Sequence, residues 1–300
     1  MKPRVEAGTA DVALSWARLM DYVALTKPRI TVFVVLSTTV GFVLGAAGVI
    51  EFTRLLHTLL ATVLVASGSA VLNQFLERKT DARMERTANR PLPAGRLYAE
   101  EAYLFGLLLS GTGILYMGLQ INWLAGLLAG STSVIYLFMY TPLKRRSTHN
   151  TAVGAVAGAL PPVGGWAAAQ GEIGWGAWLL FGILFLWQFP HFFSIAWIYR
   201  GDYERGGFKM VSIDDPAGRR TAAQIGIYGA ILLVFSFLPW LAGMTGLLYA
   251  AAAAAAGLCL VLFVVVFTRN RTEQNARRLL RTTLVYLPLL WIALLLDAFL

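Results

Sequence analysis

The chain has 300 residues, of which 57% are hydrophobic and 14% charged, and its mean hydropathy is +0.64. Soluble domains carry about a quarter of their residues as Asp, Glu, Lys or Arg, so this composition excludes a soluble globular protein and leaves a polytopic membrane protein. The one cysteine, Cys259, lies in an apolar run, which excludes both a disulfide and a cysteine metal site.

Residues 1–29 mix charges with apolar residues and lack the continuous apolar core of a cleaved signal peptide. They read as a cytoplasmic segment able to form an amphipathic helix on the membrane, with Trp16, Leu19, Tyr22 and Val23 on its buried side. Residues 30–300 form the membrane domain. Nine segments there reach about the 20 apolar residues a bilayer core requires: 30–50, 55–76, 101–119, 123–141, 151–169, 175–199, 221–243, 246–268 and 281–299. No Asp, Glu, Lys or Arg falls between Ile30 and Ile50 or between Thr221 and Thr268. Non-helical backbone facing lipid would leave polar groups unpaired, so the spans are helices and the fold class is all-α, a bundle of nine transmembrane helices. Of the 25 lysines and arginines, only Arg54 falls outside the N-terminal segment and the second, fourth, sixth and eighth loops. This positive-inside pattern places the N-terminus in the cytoplasm and the C-terminus outside. The net charge of +9 is therefore a topology signal and not a nucleic-acid footprint. The run from Ala250 to Ala256 reads as a close-packing helix face.

Acids are as unevenly placed as bases. Glu77, Asp81 and Glu85 lie in the second loop, and Asp202, Glu204, Asp214 and Asp215 in the sixth. Asn73, Glu77 and Asp81 are spaced i, i+4 and i+8, so on a helix they project along nearly one line. The bland alternative is a solvated charged face paired with neighbouring arginines. Against it, Asn73 and Glu77 fall in the last turns of an apolar helix, where polarity is costly and marks function. A second polar run, His191 to Asp202, again straddles the inner end of a helix. Two acidic clusters facing each other across a cavity and ringed by Arg and Lys suit Mg²⁺ bridging phosphate oxygens, with the bases taking the remaining charge. An apolar bundle beneath would accept a hydrocarbon tail, so the expected substrate is an amphiphile with a diphosphate head. Pro161 and Pro162 predict a break in the fifth span, and Pro190 a kink in the sixth. His191 reads either as a hydrogen-bonded structural residue or as a functional contact.

These residues resemble a known family. Asn73, Glu77 and Asp81 with Met84, Arg86, Thr87, Arg90 and Pro91 look like the first aspartate-rich motif of the UbiA-type intramembrane prenyltransferases, and the wording is similar to the branch that farnesylates haem. The likeness continues through Leu25 to Arg29, Tyr140 to Arg146, Gly158 to Trp166, Trp187 to Phe192, and Asp202 with Tyr203. It covers about residues 25 to 210, and the last three spans match by hydropathy alone. The resemblance implies a central cavity open to the cytoplasm, with Asn73, Glu77, Asp81 and Asp202 on Mg²⁺ and diphosphate. Arg86, Arg90, Lys144, Arg145 and Arg200 would hold diphosphate oxygens, and His191 is the candidate haem contact. The implied substrates are farnesyl diphosphate and haem B, the implied product haem O, and the implied partners a haem A synthase or a terminal oxidase in a bacterial plasma membrane. Three positions depart from the pattern: Lys79 where relatives carry an acid, Gly201 before Asp202, and the segment Phe208 to Ser212.

Three rivals remain. A prenyltransferase of the same architecture acting on a quinone precursor or a chlorophyllide would lack the wording around Met84 and His191. A transporter would need mid-membrane acids, and a non-catalytic assembly factor would leave the Asn73, Glu77, Asp81 register unexplained.

Overall fold

The structure, a computed structural model, describes residues 6–300, and side chains from Trp16 onward. Lys2 and Arg4, used in the topology reading, lie outside the described residues. Among these residues every regular element is a helix, and nine are long and apolar enough to cross a membrane. A helix before the spans, α1 (Glu6–Leu25), leads into α2 (Pro28–Gly45), where Pro28 occupies the first turn, a position whose N–H needs no partner. Trp16, Leu19 and Val23 are exposed on α1. Tyr22 departs from the expected apolar side: it turns onto the bundle, with its ring edge-on to Phe105 and its hydroxyl donating to Glu101 at 3.0 Å. A phenol with an acceptor in reach gains more there than on the apolar side.

The second span, α3 (Phe52–Asp81), runs five residues past the expected end, so Glu77 and Asp81 belong to the membrane helix itself. A short turn, α4 (Glu85–Ala88), precedes α5 (Ala99–Gln120). The fourth span is composite: α6 (Trp123–Val134), a π-helical segment (Ile135–Tyr140) and α7 (Thr141–Leu143). Pro142 lies just after this wider turn; proline lacks an N–H and crowds the carbonyl one turn back, and a π-turn absorbs that mismatch.

The expected break at Pro161 and Pro162 does not occur, because α8 (Asn150–Gln170) is continuous through both. The neighbouring helix supports it: a Cβ on Gly41 would stand 1.9 Å from the Pro162 carbonyl oxygen, and one on Gly165 2.0 Å from that of Thr38. The backbones of α2 and α8 thus touch, and tertiary contact carries the helix through its prolines. Next comes α9 (Trp175–Ile198), continuous through Pro190, where Ser194 donates to the Pro190 carbonyl at 2.7 Å. A short helix, α10 (Arg200–Arg205), follows it.

The seventh span divides into α11 (Arg219–Phe235) and α12 (Leu238–Leu241). At the division Ser236 shares a hydrogen bond of 2.7 Å with the Tyr286 hydroxyl, and the Tyr249 hydroxyl donates to the Ser236 carbonyl at 2.8 Å. All three polar side chains are buried and satisfied, as lipid surroundings demand. Residues Leu247–Arg269 form α13 and Glu273–Asp297 form α14. The start of α14 lies eight residues before the expected one, because Thr272 caps it and Glu273 pairs with Arg277 one turn on. Trp291 of α14 donates to Ser37 of α2 at 3.1 Å, which joins the last span to the first.

Candidate functional site

Helix α3 carries Asn73, Glu77 and Asp81 to three successive turns of one face, and their exposures of 1%, 7% and 1% exclude a solvated charge run. Each meets a base or a donor from another element. Asn73 Oδ1 accepts from Lys27 Nζ at 3.0 Å, and its Nδ2 donates to Thr141 Oγ1 at 3.0 Å. Glu77 pairs with Lys144 at 2.8 Å and Asp81 with Arg90 at 2.7 Å. Thr87 Oγ1 donates to the Asp81 carbonyl at 2.8 Å, which folds the α3–α4 turn back and brings Arg90 onto Asp81. Thr141 and Lys144 reach α3 from the far side of the π-turn, where Tyr136 and Tyr140 stack at 5.6 Å and Lys144 Nζ lies 4.5 Å from the Tyr140 ring.

Asp202, on α10, packs against the same turn: its Oδ1 accepts from the Glu85 N–H at 3.0 Å and from Arg205. Burial pushes this carboxyl up, but the Arg205 guanidinium and the backbone N–H groups of Glu85 and Arg86 outweigh it and hold it below the ordinary carboxylate range. Arg86 lies over the rings of Tyr199 and Tyr203, at 5.1 and 5.6 Å. Arg145 lines a cavity of about 600 Å³ with Glu77, Thr80, Thr141 and Phe208. Arg200 is exposed and stacks over Trp197 at 4.8 Å, so Arg205 and not Arg200 stands beside Asp202.

Two participants escape a sequence reading, Lys27 and the Arg205 that pairs with Asp202. Lys27 comes from a left-handed backbone position (φ 49°) between α1 and α2, a strained conformation for a non-glycine residue. Burial and then the positive charge of Arg90 pull this lysine down to about 7, against the attraction of Glu77 and Asp81. Lys144 moves the other way: burial works against its charge, but Glu77 and the nearby tyrosines hold it above the ordinary lysine range. Lys27, Arg90, Lys144 and Arg145 thus surround Glu77 and Asp81, an excess of positive charge that an anionic ligand would balance.

Of the departures from the family pattern, one falls away from this centre and one beside it. Lys79 is exposed, on the face of α3 away from the Asn73–Asp81 line. Phe208 is buried and lies 5.6 Å from Lys144 Nζ, so the altered segment lids the Glu77–Lys144 pair. Asp215, grouped in sequence with Asp202, is instead a cap: it accepts from the N–H groups of Arg219 and Thr221 at 3.0 and 2.8 Å.

His191 sits apart, inside α9, stacked on Trp187 with centroids 4.5 Å apart. Its Nδ1 meets Thr283 Oγ1 at 2.9 Å, and that hydroxyl's own proton points to the Leu280 carbonyl at 2.7 Å. The network therefore assigns the proton to Nδ1 and the lone pair of neutral His191 to Nε2.

Among the described residues no three His, Cys, Asp or Glu side chains converge as a ready metal cage. The donors on α3 still fit a hard divalent ion: Asn73, Glu77 and Asp81 offer buried oxygens in line, each now held by a base that phosphate oxygens could engage instead.

Comparison with known proteins bears on the chain as a whole. Residues 34–293 match the UbiA prenyltransferase family. The chain is 47% identical over 288 residues to a protoheme IX farnesyltransferase of Solibacter usitatus, covering 93% of this chain and 99% of that one. Among solved structures it is similar to a digeranylgeranylglyceryl phosphate synthase, with a TM-score of 0.79 at 15% identity over 94% of this chain and 99% of the other. A UbiA homologue from Archaeoglobus fulgidus bound to GPP and Mg²⁺ aligns with a TM-score of 0.62 at 14% identity, over 91% and 99% of the two chains.

Proposed function

The chain belongs to the UbiA prenyltransferase family, and from that premise we propose that it transfers a farnesyl group from farnesyl diphosphate to a vinyl side chain of protohaem IX, giving haem O. The observation that carries the site assignment is the buried line Asn73, Glu77, Asp81 with a base against each member. The diphosphate binds where Lys27, Arg90, Lys144 and Arg145 outnumber the acids, with Arg86 at the rim. Asn73, Glu77 and Asp81, with Asp202 across the turn, would hold Mg²⁺. When bound, that ion supplies positive charge to the departing phosphate oxygens.

The bond from farnesyl C1 to oxygen breaks with its electron pair leaving on the diphosphate, whose new charge the lysines and arginines take up. The vinyl π pair of the haem forms the new bond to C1. The cation left beside the pyrrole takes a water oxygen and releases a proton, giving the hydroxyethylfarnesyl substituent. The buried setting strengthens these interactions, because few waters compete for the same charges. His191 is our candidate for the haem contact, through the lone pair that the Thr283 bond leaves on Nε2.

The charged end of the bundle, by the distribution of bases, faces the cytoplasm of a bacterial plasma membrane. The product then passes to a haem A synthase or to an oxidase under assembly. A reporter fused after Leu300 is expected to read as external; a cytoplasmic signal would overturn the orientation. The function itself is tested with purified protein, haem B, farnesyl diphosphate and Mg²⁺. A more hydrophobic haem on reverse-phase chromatography is the expected product, whereas prenylation of a quinone precursor without any haem O would sink the reading.

A further inference from the structure

A second cavity, of about 460 Å³, lies between the basic ends of α11 and α13, on elements that contribute nothing to the Asn73–Asp81 site. Arg219 and Arg271 stand at its charged end, and Ala223, Gly226, Ile227 and Thr268 line the rest. Neither guanidinium pairs with a carboxylate among the described residues. Arg271 gives one N–H to the Ala217 carbonyl at 3.1 Å, and the adjacent Asp215 is already engaged by backbone N–H groups and the Thr221 hydroxyl. The trough below is apolar and outward-facing: Ile227 is 58% exposed, and a Cβ on Gly226 would meet nothing within 4 Å.

Two guanidiniums without a carboxylate partner above an apolar trough, at the end of two spans, match one kind of molecule. We propose that this groove binds an anionic glycerophospholipid of the surrounding bilayer, with its phosphodiester between Arg219 and Arg271 and an acyl chain along Gly226 and Ile227. Guanidinium forks suit phosphate oxygens, and basic pockets between spans on the charged side of a membrane recognise anionic headgroups. A free phosphate would engage the arginines but leave the trough bare, and a zwitterionic headgroup would bring a cation up to two others.

The test uses the full chain purified in detergent, titrated with phosphatidylglycerol or with phosphatidylcholine of the same acyl chains, and followed by native mass spectrometry and by thermal unfolding. Phosphatidylglycerol is expected to bind saturably and raise Tm. In Arg219→Gln/Arg271→Gln its affinity should fall by about thirtyfold, toward that of phosphatidylcholine. Gly226→Leu, which fills open space and keeps both arginines, should weaken binding without lowering the lipid-free Tm. The proposal is overturned if the two lipids protect equally, if the double variant or Gly226→Leu binds phosphatidylglycerol as the parent does, or if inorganic phosphate alone reproduces the stabilisation.

Discussion

Two stretches stand out equally from this apolar sequence, Asn73 to Asp81 and Gly158 to Trp166, yet they work by opposite means. On α3 the chemistry lies in what the side chains carry: buried oxygens, each matched to a cation from another element. On α8 it lies in what side chains omit. Gly165 and its opposite number Gly41 leave room for backbone against backbone, and Gly158 leaves room for Gln188, whose Oε1 would be 2.2 Å from an added Cβ. Gln188 then straps the helices together, donating to the carbonyls of Ala155 and Leu184 at 2.9 and 3.2 Å. The first stretch is broken by taking an atom's charge away, the second by adding a methyl group.

That contrast predicts two separable phenotypes. The largest effect is expected for Asp81→Asn, which keeps the shape and removes the charge that faces Arg90. Turnover of haem B to haem O should fall by about 10³-fold, the scale seen when one preorganised electrostatic group is removed, while the yield of folded protein in the membrane stays near the parent's. A rate within a few-fold of the parent would mean that Asp81 does not serve the ionisation step. Next is Gly41→Ala, which places a methyl group 1.9 Å from the Pro162 carbonyl oxygen. Overpacking of this kind costs about 3 kcal/mol, so thermal unfolding in detergent should start well below the parent's and the folded yield should drop. The fraction that folds should keep its kcat/KM. An unaltered Tm would show that α2 and α8 can move apart freely.

The difference between these stretches also sets what the sequence could disclose. The nine spans are legible because lipid leaves the backbone one solution and because apolar runs of the right length are unmistakable. The Asn73, Glu77, Asp81 line is legible because a spacing of four survives any packing of α3. The start of α14 is missed because counting apolar residues passes over Glu273 to Leu280, although Thr272 as cap and Glu273 before Arg277 signal a helix there. The continuity of α8 is missed because the local cost of Pro161 and Pro162 is visible while the glycines of another helix that accommodate them are not. Lys27 is missed for the same reason: its partner Asn73 lies 46 residues away, and nothing local marks it as part of a site. Arg205 does carry a local signal, its spacing of three from Asp202, which the motif reading passes over. The π-turn before Pro142 has a local cause, but several backbone solutions answer it, and only the approach of Thr141 and Lys144 to α3 selects this one.

The smallest effect sharpens the comparison between carried and omitted groups, because it concerns a single proton. Thr283 holds the His191 ring through a hydroxyl whose own hydrogen is committed to Leu280. Thr283→Val keeps the side-chain volume and removes the acceptor, leaving the Nδ1 proton unpaired and the imidazole free to choose its tautomer. Outer hydrogen bonds of this type contribute about tenfold to the metal affinity of the histidine they hold, so haem B should bind about tenfold more weakly, read as the Soret shift during titration. Thr283→Ser restores the acceptor and should restore the affinity. Because Trp187 bonds to the Thr283 backbone carbonyl at 2.8 Å, the helix contact survives both substitutions, and a purely structural role for the hydroxyl would change Tm and leave the Soret titration unmoved. Equal haem affinity in all three proteins would assign His191 to packing between α9 and α14, on the side of the comparison where α8 stands.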